Sequence, residues 1–227
     1  MNTLSLNNIK IKYIDAPDII INEENVIFPD GINFIVGKNG CGKSTLLKAF
    51  TGHEDIDVRG KIEYNNGPLK YSIIGIVNQN PLNSIACELT FAENLIQAKS
   101  TYLDFLKPTI IVNKKELNKI ITFIKSFNFD FDINKILFKE SSKLSSGQQQ
   151  LLAILMRVYR NGKILLLDEC TANLDEFNTN LIIETLIKIA LKGVIILFVT
   201  HQSEFLELSN TRTYIVANKS INLKIYE

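Results

Sequence analysis

Gly37-Lys38-Asn39-Gly40-Cys41-Gly42-Lys43-Ser44-Thr45 is the stretch on which the reading of the chain turns. An apolar run, Ile32-Asn33-Phe34-Ile35-Val36, precedes it, and Leu46-Leu47-Lys48-Ala49-Phe50, of helical character, follows. Strand, glycine-rich turn and helix, in that order, are the context a phosphate-binding loop requires. Glycines let successive backbone N–H groups curl around a polyphosphate with no Cβ in the way, and the helix N-terminus adds partial positive charge. Lys43 supplies a mobile point charge for β and γ phosphates, and Ser44 a hydroxyl for Mg²⁺. Gly37, Asn39, Gly40, Cys41, Gly42, Lys43, Ser44 and Thr45 are therefore the expected nucleotide contacts.

Working outward, 227 residues suffice for one substantial core, or one core with a smaller subdomain. A hydrophobic share of 46% beside 22% charged residues describes an ordinary globular chain. Net charge is +1, so no basic footprint points to nucleic acid. No run approaches the ~20 apolar residues of a membrane span, and residues 1–5 carry no leader pattern. Cys41, Cys87 and Cys170 are odd in number and widely spaced, which suits reduced cytoplasmic thiols. His53 and His201 are too few and too far apart for a zinc site.

Along the chain, residues 4–13 alternate, with Ile9, Ile11 and Tyr13 on one face, and read as an antiparallel edge strand. A second strand at 19–21 comes before the turn Phe28-Pro29-Asp30-Gly31. Short strands at 61–64 and 73–77 flank the turn Asn65-Asn66-Gly67-Pro68. From 81 to 143 the pattern is helical, with Leu117, Ile120, Ile121 and Ile124 in one core-facing stripe and a break at 128–132. A helix over 148–159 leads to Lys163-Ile164-Leu165-Leu166-Leu167-Asp168-Glu169. An unbroken apolar run ending in acids suits a parallel strand buried on both faces. A helix over 177–191, a buried strand over 194–199 ending at Thr200-His201, and a hairpin around Asn218-Lys219 over 213–226 complete the chain.

Four aliphatic residues ending in an acid make a Walker B pattern, whose Asp168 would hold Mg²⁺. Glu169, next in the chain, is placed to polarise an attacking water as general base. Between the two Walker motifs lies Leu144-Ser145-Ser146-Gly147-Gln148. It resembles the LSGGQ signature of ATP-binding cassette (ABC) ATPases, with Ser146 at the family's first glycine. Gln79 resembles the family's Q-loop glutamine, Ala172-Asn173-Leu174-Asp175 its D-loop, His201 its switch histidine and Tyr13 its adenine-stacking aromatic. The likeness keeps family order over essentially the whole chain.

The resemblance implies an α/β fold: a P-loop NTPase core with a mainly parallel sheet, an antiparallel β subdomain and an inserted helical subdomain. Residues 1–80 and 146–227 would form the ATP-binding core with its β subdomain, and 81–145 the helical insert. It also implies an ATPase in which two cassettes, identical or different, sandwich MgATP head to tail. Lys43, Gln79, Glu169 and His201 would be catalytic, and Ser44, Gln79 and Asp168 would surround the metal. Ser145, Gly147 and Gln148 would bind the ATP of the opposite chain, and Asp175 would buttress the neighbouring site.

The expected role is the ATPase subunit of a membrane transporter, peripheral on the cytoplasmic face. It would dock on a separate transmembrane permease and, for an importer, act with a substrate-binding protein. Gln79-Asn80-Pro81 and Thr90-Phe91-Ala92-Glu93-Asn94-Leu95 lean slightly towards import. The alternative is a soluble cassette acting on ribosomes or chromosomes. Chromosome cassettes need a long coiled coil between Walker A and the signature, and 81–143 has no sustained heptads. A switch GTPase would need Asn/Thr-Lys-x-Asp, and no Asn-Lys pair here is followed by x-Asp.

Overall fold

Alternating apolar residues create β1 (Thr3–Tyr13), but the alternation slips phase between Leu6 and Ile9. A bulge resolves the slip. The pairing register with the neighbouring strand Ile19–Pro29 shifts there and Asn8 adopts φ +51°, so Leu4, Leu6, Ile9 and Ile11 all reach the core fully buried. The computed structural model describes residues 1–99, 114–129, 132–202, 205, 208 and 211–224. The expected helical character of 100–113, part of the break at 128–132 and the end of the C-terminal hairpin lie outside the described residues.

β1 is not an edge strand. Its sheet runs β2 (Ile19–Pro29), β1, β4 (Ile56–Tyr64), β5 (Gly67–Pro68), all pairs antiparallel. The polar Asn22-Glu23-Glu24-Asn25 had hidden the length of β2, which continues through Val26 and Phe28, both buried. The second sheet runs β10, β9, β3, β8, β7, β6. Here β3 is Gly31–Val36, β6 Ile74–Val77, β7 Ile164–Asp168, β8 Ile195–Val199, β9 Arg212–Ala217 and β10 Ser220–Lys224. β3, β7, β8 and β9 are parallel, and β10 returns antiparallel through Asn218 and Lys219, both at positive φ. The aliphatic β7 and β8 are the most completely buried strands, as parallel central strands should be.

Two compact units result, each with its own packing. The first comprises Met1–Ile76, Lys163–Glu169 and Ala190–Glu227. Its core takes α1 (Lys43–Thr51) through Leu46, Ala49 and Phe50, together with Leu6 and Phe28 of one sheet and Ile35, Leu166 and Leu197 of the other. The second comprises Val77–Gly162 and Cys170–Ile189. It contains α2 (Phe91–Lys99), α3 (Lys114–Lys125), the short α4 (Asn134–Leu137), α5 (Ser146–Tyr159) and nearly all of α6 (Glu176–Ala190). Of the expected stripe on α3, Ile120 and Ile124 are buried and Leu117 and Ile121 half-buried. The sequence division at residue 146 does not coincide with these units, because α5 and α6 fall with the helices of 77–162.

Candidate functional site

In the first unit, α1 starts at Lys43 because Gly42, its N-cap, holds φ +108°, and a Cβ there would strike the Ile20 side chain of β2. Gly40, at φ +77°, faces open space, so the rim of the loop is accessible. Lys43 is buried to 7% exposure, and its Nζ donates to the carbonyls of Gly37 at 2.9 Å and Lys38 at 3.1 Å. An ammonium has three donors; two hold it over the loop and one remains. Cys41 is half-buried within the loop, its backbone N–H bonded to Lys38 O at 3.2 Å. Asn39 is exposed.

Ser44 is exposed at the second helical position, and its hydroxyl favours the ionised form of the Asp168 carboxyl at the end of β7. Burial pushes the Asp168 carboxyl above its ordinary range, and the neighbouring Glu169 charge pushes it further. The Ser44 hydroxyl and the Lys43 charge pull the other way. Glu169 sits at φ +49°, a left-handed conformation that costs a non-glycine residue about 1–2 kcal/mol. Its N–H bonds Val199 O of β8 at 3.0 Å, which holds the strained turn in place. The result carries the Glu169 carboxylate to His201, with Nε2 2.9 Å from Oε1. Thr200 completes the arrangement: its N–H bonds Ile35 O, and its hydroxyl accepts from the N–H of Gln202 at 3.1 Å. Sequence reasoning had not singled out Thr200, and its only signal was its place between the buried β8 and His201.

Lys43, Ser44, Asp168, Glu169 and His201 thus converge within one unit. Tyr13 lies along α1, its hydroxyl 3.3 Å from Thr45 Oγ1 and its ring 5.6 Å from Lys48 Nζ. A cavity of about 750 Å³ beside the C-terminal end of α1, lined by Lys12, His53 and Tyr71 among others, includes none of these residues. Convergent donors mark this site better than concavity does.

The remaining expected residues lie in the second unit. Ser145 is the N-cap of α5 and forms a reciprocal capping box with Gln148: Ser145 Oγ accepts from Gln148 N–H and Gln148 Oε1 from Ser145 N–H, both at 3.2 Å. The Ser145 hydroxyl proton and the Gln148 side-chain NH₂ are not used by this box. Gly147 is buried and Ser146 exposed. Gln79, Ser146, Gln150 and Asn173 line one pocket of about 380 Å³, which draws the segments at 79–82, 146–150 and 170–174 together. Asp175 accepts from the backbone N–H of Asn178 at 2.8 Å, capping α6, and from its side-chain NH₂.

Among the described residues no three His, Cys, Asp or Glu side chains could hold a metal by themselves. Mg²⁺ does not need them, since it favours one or two protein oxygens and completes its shell with phosphate and water. Ser44 and Asp168 fit that demand, and a cation there would relieve the Asp168–Glu169 repulsion.

The sequence model of the ABC transporter family matches residues 25–172, more than half of the chain. The multidrug resistance-like ATP-binding protein MdlB of Buchnera aphidicola subsp. Schizaphis graminum is 30% identical over 210 residues, covering 90% of this chain and 35% of that protein. The chain thus spans about a third of the length of the curated relatives it matches. Among solved structures, a nucleotide-free ATP-binding cassette from an ABC transporter superposes with a TM-score of 0.80 at 22% identity, covering 100% of this chain and 92% of that one. The cbiO1 protein of Clostridium perfringens, part of the ABC transporter complex cbiONQ, gives 0.78 at 22% identity, covering 97% and 86%. These two likenesses are of fold, and they agree with the α/β architecture of parallel sheet, antiparallel sheet and helices. Family model, motif order and fold converge: the chain belongs to the ABC transporter family, as an ABC ATPase domain that binds ATP.

Proposed function

We propose that the chain hydrolyses MgATP as one half of a head-to-tail pair of cassettes and so drives substrate movement through a separate membrane-spanning subunit. The observation that carries this reading is the Glu169–His201 pair, 2.9 Å apart, in the same unit as Lys43, Ser44 and Asp168. Lys43 and the loop amides stabilise phosphoryl charge, and Glu169, oriented by His201, accepts a proton from water. Ser44 and Asp168 would hold Mg²⁺, which would neutralise phosphate charge. Tyr13 stacks on adenine. Ser145, Gly147 and Gln148 complete the ATP site of the partner cassette, and Asp175 supports it.

ATP binding favours the closed pair, and hydrolysis with release reopens it. No described helix is long and apolar enough to cross a membrane; the proposed place is the cytoplasmic face of a membrane-spanning partner. The import direction rests on Gln79-Asn80-Pro81, since Thr90, Glu93 and Asn94 serve the folding of α2. The test is fractionation of tagged protein from gently solubilised cells with ATP present. Capture of a multi-span protein from the membrane fraction supports the transporter role; recovery with ribosomes or DNA, or with no membrane partner, overturns it.

A further inference from the structure

Gly147 is a glycine for want of space. Its φ is not positive, it is buried in the first turn of α5, and alanine there would favour the helix. A Cβ on Gly147, however, would overlap the carboxamide of Asn178 and lie 2.6 Å from its Cβ. Asn178 cannot easily yield. Its backbone N–H bonds Asp175 Oδ1 at 2.8 Å, and its Nδ2 bonds Asp175 Oδ1 at 3.0 Å and Oδ2 at 2.8 Å. A carboxylate only accepts, so these bonds fix which end of the amide faces Asp175 and turn Oδ1 towards Gly147.

From this we propose that Asn178 is a positioning residue that locks the first turn of α5 to Asp175, so that the signature and D-loop segments move as one joint. The proposal rests on the function proposed above, in which Ser145 and Gln148 on that turn serve the partner's ATP. A shift of Asp175 is passed through the pinned carboxamide to the Cα of Gly147, and from there to the capping box beside it. The lock depends on two things at once: the amide donors on Asp175 and the missing Cβ on Gly147.

Four substitutions test the lock in the 227-residue chain. Asn178→Asp keeps the size but removes the Nδ2 donor and sets a charge against Asp175. Hydrogen exchange at the Gln148 and Gln149 amides, without nucleotide, is expected to quicken about tenfold in Asn178→Asp and Asn178→Ala, with residues 151–155 unchanged. Unchanged exchange at Gln148 and Gln149 in both variants overturns the lock. Gly147→Ala should lower the thermal midpoint in the parent but not in an Asn178→Gly background, and additive losses would show that the two residues do not meet. With MgATP, Asn178→Ala should lower kcat about tenfold while KM stays within about twofold. Altered exchange with unaltered kcat removes the role in positioning. A parent chain with no ATPase activity counts instead against the proposed function, and the exchange and melting results still decide the lock.

Discussion

At the scale of single residues, the site trades stability for chemistry. Glu169 pays in backbone strain and Asp168 in desolvation, and both sit where a buried strand releases its acids. Glu169→Gln keeps size and shape but cannot take a proton, so turnover is expected to fall roughly 10²–10⁴-fold with ATP binding retained. Hydrolysis at the parent rate would remove Glu169 from the role of base. For Asp168 the pKa in the fold lies above the ordinary 3.8, so the native protein holds that proton more tightly than the unfolded chain. Stability therefore falls as pH rises through the window from 3.8 to the raised value, and the deficit is complete above it. Asp168→Asn removes the deficit. In metal-free solution at pH 7 the variant should melt above the parent, the gap closing below pH 3.8. Equal midpoints at pH 7 would contradict this account.

At the scale of elements, a motif that suggested transport direction turns out to build a helix. Thr90 and Glu93 form a capping box at the start of α2, with Glu93 Oε2 accepting from Thr90 N–H at 2.8 Å and from its hydroxyl at 2.7 Å. Asn94 is fully buried and binds the Ala86 N–H and O, the carbonyls of Leu89 and Thr90, and the Ser141 hydroxyl. It ties the loop before α2 to the segment before α5. Asn94→Ala should cost about 3 kcal/mol, since several buried partners lose their bonds together. A urea midpoint indistinguishable from the parent's would refute that role. The sequence pattern Thr-x-x-Glu-Asn was visible from the start. Its physical cause was not, because the partners of Asn94 include Ser141, 47 positions away.

At the scale of the molecule, the proposed pairing has a direct readout. Glu169→Gln with ATP should trap the closed pair, so the mass from light scattering doubles. Ser146 is exposed at the first helical position and takes no part in the capping box, so Ser146→Arg should block pairing while leaving the α5 cap and ATP binding intact. Pairing undisturbed by that arginine would refute the head-to-tail arrangement, with the signature turn at its interface.

The sequence by itself determined the phosphate loop, the central buried strands and the order of the motifs, because each depends on neighbours within a few positions. Glycine spacing, an aliphatic run ending in acids and a serine before a helix are local statements of physics. Tertiary structure alone decided what those residues touch. The interior place of β1 depended on a β2 whose polar middle masked it, and the fixing of Glu169 depended on Val199 and His201 from another strand's end. The need for glycine at 147 came from Asn178, 31 positions further on. Such contacts join residues far apart in the chain, and no local period records them.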